Sequence, residues 1–218
     1  MSIALMTFDI FGTVLDWQRG HGLPGADFDR VMDRQGELER ERFRPYREIV
    51  AQSLMEAAGF ARRRAETEGR SIGDELDMDP EEAARYGEQA GTWPLFADSA
   101  AALRELRKVA PCAAITNSDL AHRPQIEAQL GFPLDGWICA EEERTYKPDP
   151  HMWRAASRRI GVPFSKEWWH VSAYADYDHA TARALGLTCV FVQRPHSRPG
   201  PADLTVRDLA ALAALVRK

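Results

Sequence analysis

The chain has 218 residues, 44% hydrophobic and 28% charged, a balance that excludes wholesale disorder, collagen-like repeats and a disulfide-built miniature fold. Its 28 Lys and Arg against 33 Asp and Glu leave a net charge of -5 and no basic stripe, which speaks against nucleic acid as a partner. No apolar run reaches the roughly 20 residues of a membrane span and no basic region precedes the first apolar stretch, so neither a membrane anchor nor a leader is expected.

In chain order, Ile3 to Phe8 reads as the first strand. It is apolar at nearly every position, the pattern of a parallel strand covered on both faces. Asp16 to Gly91 then holds 18 acidic and 12 basic residues with no Lys, the composition of a solvated helical lobe. Helical spacing is clearest from Phe43 to Ala65, with a Gly/Asp-rich break from Gly69 to Asp79 and a new helix start at Asp79-Pro80. Asp98 is the predicted N-cap of a helix over Ser99 to Val109. Strands are predicted at Cys112 to Thr116, Gly136 to Ala140, Trp168 to Ser172 and Thr188 to Gln193. Between and after them lie helices over Ala121 to Leu130, ended by Gly131, Pro150 to Ile160, ended by Gly161, and Asp208 to Val216.

Strands alternating with short helices predict an α/β fold with a doubly wound parallel sheet, built from residues 1–15 and 92–218. Residues 16–91 form a helical cap inserted after the first strand, where it would cover a site at the carboxyl ends of the strands. Cys112, Cys139 and Cys189 lie in separate strand-like runs, which suggests neither disulfides nor a zinc site and points to a reducing cytoplasm.

The run Phe8-Asp9-Ile10-Phe11-Gly12-Thr13 places a carboxylate at the end of the first strand, followed by a turn-forming glycine and a hydroxyl. Taken alone, Asp9 is open to three roles: nucleophile, metal ligand or helix cap. Thr116-Asn117-Ser118-Asp119 follows the second strand, Lys147-Pro148-Asp149-Pro150 the third and Asp176-Tyr177-Asp178 the fourth. Parallel strands bring these ends together, so carboxylates, amide and hydroxyl donors and one ammonium converge.

In this order the motifs resemble those of the haloacid dehalogenase superfamily: D-x-[D/Y/F]-G-T, then S/T, K-P and a final Asp. The chain is most similar to its type II haloacid dehalogenases, through D-I-F-G-T-V-L-D-W, R-P-Y-R-E-I-V, T-N-S-D, Y-K-P-D-P and W-H-V-S followed by Y-D-H-A. The resemblance implies a Rossmann-like core with an inserted cap, a small-molecule substrate and a possible homodimer through the cap. It implies catalytic roles for Asp9, Lys147 and Asp178. Thr13, Thr116 and Asn117 would position substrate or donate to it, with Phe11, Trp17 and Trp153 beside it.

Departures from the family pattern choose between its chemistries. Phosphatases of the superfamily place an acid two residues after the nucleophile, and Phe11 cannot supply a proton. Their Mg²⁺ pattern G-D-x-x-x-x-D, aligned on Asp178, falls on Ser172-Ala173, which removes one oxygen ligand although Asp176 stands nearby. A halide leaves without a proton, so displacement of halide from a 2-haloacid with no metal or other cofactor is the expected reaction. A Mg²⁺-dependent phosphatase or a non-catalytic relic is the alternative. The dehalogenases also use a Ser and an Asn where Ala173 and Ala175 stand, a Tyr where Trp153 stands, and an early cap arginine for halide, matched loosely by Arg30 or Arg34.

Other prominent residues have plainer readings. His170 is expected to be a satisfied core histidine. Trp17 lines the pocket or packs the cap. Arg62-Arg63-Arg64 is a solvated helix face, Glu141-Glu142-Glu143 caps or solvates a loop, and of Tyr177-Asp178-His179 only Asp178 matches a family position.

Overall fold

The computed structural model describes residues 2–22, 25–67 and 79–217. Six parallel strands form one sheet: β1 (Leu5–Phe8), β2 (Cys112–Thr116), β3 (Gly136–Cys139), β4 (Trp168–Ser172), β5 (Thr188–Val192) and β6 (Leu204–Val206), in the order β3-β2-β1-β4-β5-β6. The chain builds outward from β1 on one side and then restarts at β4 on the other, so β1 and β4 flank the topological switch point. β6 has no counterpart in the sequence reading. It is a three-residue edge strand with an exposed centre, too short to show a pattern.

Before β2 lie α1 (Trp17–His21), α2 (Gly25–Leu38), α3 (Tyr46–Thr67), α4 (Pro80–Glu88) and α5 (Ser99–Leu106). After it come α6 (His122–Leu130), α7 (Ala140–Glu143), α8 (His151–Ile160), α9 (Asp178–Ala184) and α10 (Leu209–Val216). Period-two alternation divides the core. Met6, Phe8, Cys112 and Ala114 pack with residues of α5, α6 and α10, whereas Leu5, Ala113 and Ile115 pack with Met152, Trp153, Ala155 and Ala182 of α8 and α9. All three cysteines are free and buried. Among the described residues no helix is long and apolar enough to cross a membrane.

Several expected boundaries shift for visible reasons. The helix expected from Phe43 begins at Tyr46, one residue beyond Pro45, and Ala140 leaves the third strand to open α7. Asp79 caps α4 by accepting from the Glu82 N–H, with Pro80 at the first helical position. The rest of the Gly69 to Asp79 break lies outside the described residues, as do the side chains of Arg62-Arg63-Arg64 within α3. Asp98 does not cap α5. Its carboxylate pairs with Arg194 at 2.8 Å and accepts from the N–H groups of Leu209 and Ala210, so it helps to cap α10 across the fold, beside Asp208.

The segment containing α1 to α4 is tied to the core by buried polar contacts. Asp119, of the Thr116-Asn117-Ser118-Asp119 run, is 1% exposed and accepts from the N–H groups of Tyr46 and Arg47 at 2.7 and 3.0 Å, which satisfies the start of α3. Arg47 bridges Asp119 and Glu141. Glu141 also accepts from the Leu120 N–H, so the acidic triplet of α7 does cap a loop. Buried His122 donates from Nε2 to the Gly87 carbonyl while its Nδ1 accepts from the Asp119 N–H; burial lowers its pKa and favours this neutral form. On the far side Arg198 and His196 pair with Asp33 and Asp29 of α2.

Candidate active site

β1 delivers Asp9 to the switch point, buried, with its N–H donated to the Val171 carbonyl of β4. Lys147, 1% exposed, donates from Nζ to Asp9 Oδ1 at 2.8 Å and to Asp178 Oδ2 at 2.9 Å. Thr13 donates to Asp9 Oδ2 at 2.6 Å and accepts from the Ala173 N–H at 2.8 Å. The three residues with implied catalytic roles therefore meet, and Thr13 holds Asp9 in place from outside the cavity lining.

One ammonium between two buried carboxylates leaves a net negative charge, and the burden is unequal. Burial pushes the Asp9 carboxyl above the ordinary range and Asp178 adds to that, against the pull of Lys147 and Thr13. Burial also opposes ionisation of Asp178, but Lys147 and His170 outweigh it and hold Asp178 well below the usual carboxylate range. Lys147 is lowered by burial and raised further by the two carboxylates, so it stays charged. Asp9 is thus the first of the two carboxylates to take up a proton on acidification.

His170 is satisfied, as expected, yet its partner is Asp178. Trp168 Nε1 donates to Thr7 Oγ1 at 2.8 Å, Thr7 Oγ1 and His170 Nδ1 are 2.9 Å apart, and His170 Nε2 lies 3.4 Å from Asp178 Oδ2. The chain ends behind Lys147. Asp178 itself does not line the cavity, so it reaches the reaction through Lys147.

A cavity of about 140 Å³ opens in front of Asp9, below the ~300 Å³ at which drug-sized ligand sites begin. Core residues Asp9, Phe11, Asn117, Lys147, Tyr174 and Tyr177 form its floor, and Met32, Gln35, Glu39, Arg40 and Tyr46 face them from the inserted helices. Phe11 packs against Tyr46, Trp93 and His122 with ring centroids 5.3, 5.7 and 5.9 Å away. Trp17 lines the cavity and donates from Nε1 to the Tyr174 hydroxyl at 2.9 Å.

Three expectations need correcting. Trp153 does not reach the cavity; it is fully buried in α8, edge-on to His170, because its face of the helix meets the sheet. Thr116 is buried outside the cavity lining, and its hydroxyl has no partner among the described residues. Arg30 and Arg34 face a separate groove on the inserted helices, Arg34 pairing with Glu56 and Glu37 and Arg30 with Asp27, so neither supplies the expected halide contact. The arginines that do line the cavity are Arg40 and Arg198.

Asn117 is present but occupied. Its Oδ1 accepts from the Lys147 N–H at 2.7 Å, and its Nδ2 donates to Glu39 Oε2 and the Tyr177 hydroxyl, each at 2.9 Å. The amide therefore positions Lys147, Glu39 and Tyr177. Glu39, Arg40, Tyr46, Tyr174 and Arg198 were not singled out from sequence. Glu39 carries a usable signal, since it is a half-buried charged residue directly after α2, four residues beyond Gln35 of the buried stripe Phe28, Val31, Met32, Gln35 and Leu38.

Gly12 turns the chain away from Asp9 with φ +84, and a Cβ there would lie 2.6 Å from the Tyr174 ring and 2.7 Å from Trp17 Nε1. Gly12→Ala is expected to lower stability by about 2 kcal/mol or more, combining the left-handed backbone with that clash. Urea unfolding reads the loss; an unchanged midpoint would show that the aromatic pair yields.

The model of haloacid dehalogenase-like hydrolases matches residues 3–186. The chain belongs to this family. Its structural relatives share the fold at low identity. A defluorinating L-2-haloacid dehalogenase superimposes with a TM-score of 0.75 at 22% identity, covering 99% of this chain and 96% of the other. The L-2-haloacid dehalogenase from Xanthobacter autotrophicus with chloropropionic acid covalently bound gives 0.77 at 20%, covering 99% and 98%. A dehalogenase with an intermediate complex gives 0.81 at 21%, covering 100% and 98%. Among curated protein sequences no relative matches.

Within this hydrolase family Mg²⁺ is the ion to test against the site. Here Lys147 Nζ bridges the two carboxylates that would share it, Ala173 stands at a third ligand position, and no group of three or more His, Cys, Asp or Glu among the described residues is placed to hold a metal. The donor set does not fit the octahedral oxygen shell of Mg²⁺.

Proposed function

We propose that this hydrolase displaces halide from short 2-haloalkanoic acids through an ester on Asp9. The observation that carries the reading is Asp9 itself: a buried carboxylate held by Lys147 and Thr13 at the wall of a small cavity, with Phe11 where a proton donor for an alkoxide would be needed. An Asp9 oxygen bonds to C2 as the carbon–halogen bond breaks, and halide leaves with the bonding pair and no proton. Water then adds to the ester carbonyl, and its collapse frees the 2-hydroxy acid, returns Asp9 and releases one proton. Lys147 offsets the charge on Asp9 before attack and after hydrolysis, and Asp178 and His170 hold Lys147 in place. The cavity volume suits an acid of a few carbons. The covalently bound chloropropionic acid in the Xanthobacter relative is in keeping with this reading.

The test is chloride, bromide and fluoride release from haloacetates and from both enantiomers of 2-chloropropanoate, with and without EDTA. Halide release that survives EDTA is expected. Absence of halide release together with Mg²⁺-stimulated hydrolysis of a phosphate monoester would replace this reading by the phosphatase one.

A further inference from the structure

Among the described residues, Glu39 is the one carboxyl group that the inserted segment brings to the cavity wall opposite Asp9. Its N–H continues α2 by donating to the Gln35 carbonyl at 2.9 Å, so the side chain follows Gln35 on the face turned to the core. Oε2 accepts from Asn117 Nδ2 at 2.9 Å, and no cation among the described residues forms an ion pair with the carboxyl. An ionised Glu39 would stand unpaired in a cavity whose buried ammonium is already shared by Asp9 and Asp178. A second anion could not enter beside it without strong repulsion.

We propose that Glu39 receives the carboxylate of a short monocarboxylate as a neutral acid, the two carboxyl groups sharing one proton across the cavity. The inference rests on the hydrolytic reading for its substrate class and adds to it a residue that decides which charge state of the protein binds. A carboxylic acid meeting a carboxylate makes a short, charge-assisted hydrogen bond, about twice as strong as a neutral one. The Tyr177 hydroxyl, which accepts from the same Asn117 amide, keeps its own proton for the second carboxylate oxygen.

The surroundings of Glu39 agree. Burial and the charges of Asp178 and Asp9 push its carboxyl up, against Asn117 and Lys147, to about 8. Other titratable groups share the cavity wall. Burial pushes Tyr46, Tyr174 and Tyr177 above the ordinary tyrosine range and Asp9 and Asp176 above the carboxylate range, and Lys147 is raised by its two carboxylates, so Glu39→Gln is the variant that separates Glu39 from these neighbours. Arg40 and Arg198 also line the cavity.

Propanoate, which cannot lose halide, is the probe. Calorimetric titration of the full chain from pH 6.5 to 10 should show constant affinity below about 8 and then about a tenfold loss per pH unit. Glu39→Gln, whose amide donates without titrating and can still accept from Asn117, should remove that decline. Unfolding midpoints and a parallel Glu39→Ala variant, expected to bind propanoate weakly at every pH, guard against a folding defect. An affinity independent of pH in the wild type, a decline that persists in Glu39→Gln, or no binding of propanoate at all would overturn the proposal. The two readings part cleanly: halide release with pH-independent propanoate binding removes Glu39 alone, and proton-linked binding without halide release removes the dehalogenase reading alone.

Discussion

Asp9→Asn should abolish turnover, by on the order of 10⁴-fold or more, because the amide is a poor nucleophile at carbon and no other carboxylate on the cavity wall is held by Lys147. The fold should survive, since an amide can keep the contact with Thr13 and the loss of one negative charge relieves a cluster that holds two carboxylates against one ammonium. A single turnover in ¹⁸O-water distinguishes the covalent route from direct attack by water. In the covalent route the first molecule of 2-hydroxy acid carries oxygen from Asp9, and solvent label enters the protein and appears in product only from the second turnover. Solvent label in the first product would remove the ester intermediate. Since Asp9 must be ionised and its pKa lies above the ordinary carboxylate value, the rate should fall as the pH drops through that raised pKa.

Lys147→Ala should cost on the order of 10²-fold or more in kcat/KM, the scale for loss of a preorganised charge in a water-poor site. The direction of its pH effect follows from the contacts. Without the ammonium, Asp9 and Asp178 lose their shared partner, their mutual repulsion is uncompensated, and one of them takes up a proton at higher pH. Because Asp178 keeps His170, Asp9 is the one that protonates, and the acid limb of the profile should move upward. Removing one partner from a buried ionic cluster should also lower stability by about 3–5 kcal/mol, which thermal unfolding reads alongside the rate. Lys147→Arg should not restore the rate, because a planar guanidinium cannot occupy a fully enclosed site shaped for a compact ammonium with two acceptors under 3 Å away. An alanine variant with unchanged rate and profile would show that Lys147 is structural.

The convergence of Asp9, Lys147 and Asp178 was legible before any coordinates because it depends on topology alone. Residues at the carboxyl ends of neighbouring parallel strands must meet, and apolar strands between helices announce such a sheet. The family motifs name the same residues. Local patterning likewise identified five of the six strands and the glycine-ended helices, since both follow from periods of two and of about 3.6 residues.

What lines the cavity was decided elsewhere. Trp153 and Thr116 sit in segments that the sequence brings near the site, yet packing turns both away from it. Arg198 reaches the cavity because its backbone pairs with Ala173 and Ala175, some two dozen residues earlier in the chain, a match that no local pattern records. Asp98 looks like the cap of the helix beside it and serves a helix more than a hundred residues later. The Glu39 carboxyl is pushed up only once packing buries it near Asp178 and Asp9, with Asn117 donating to it. Sequence determines residue type and backbone period; which side chain meets the cavity, and in which charge state, depends on burial and partners that exist only after distant segments have packed.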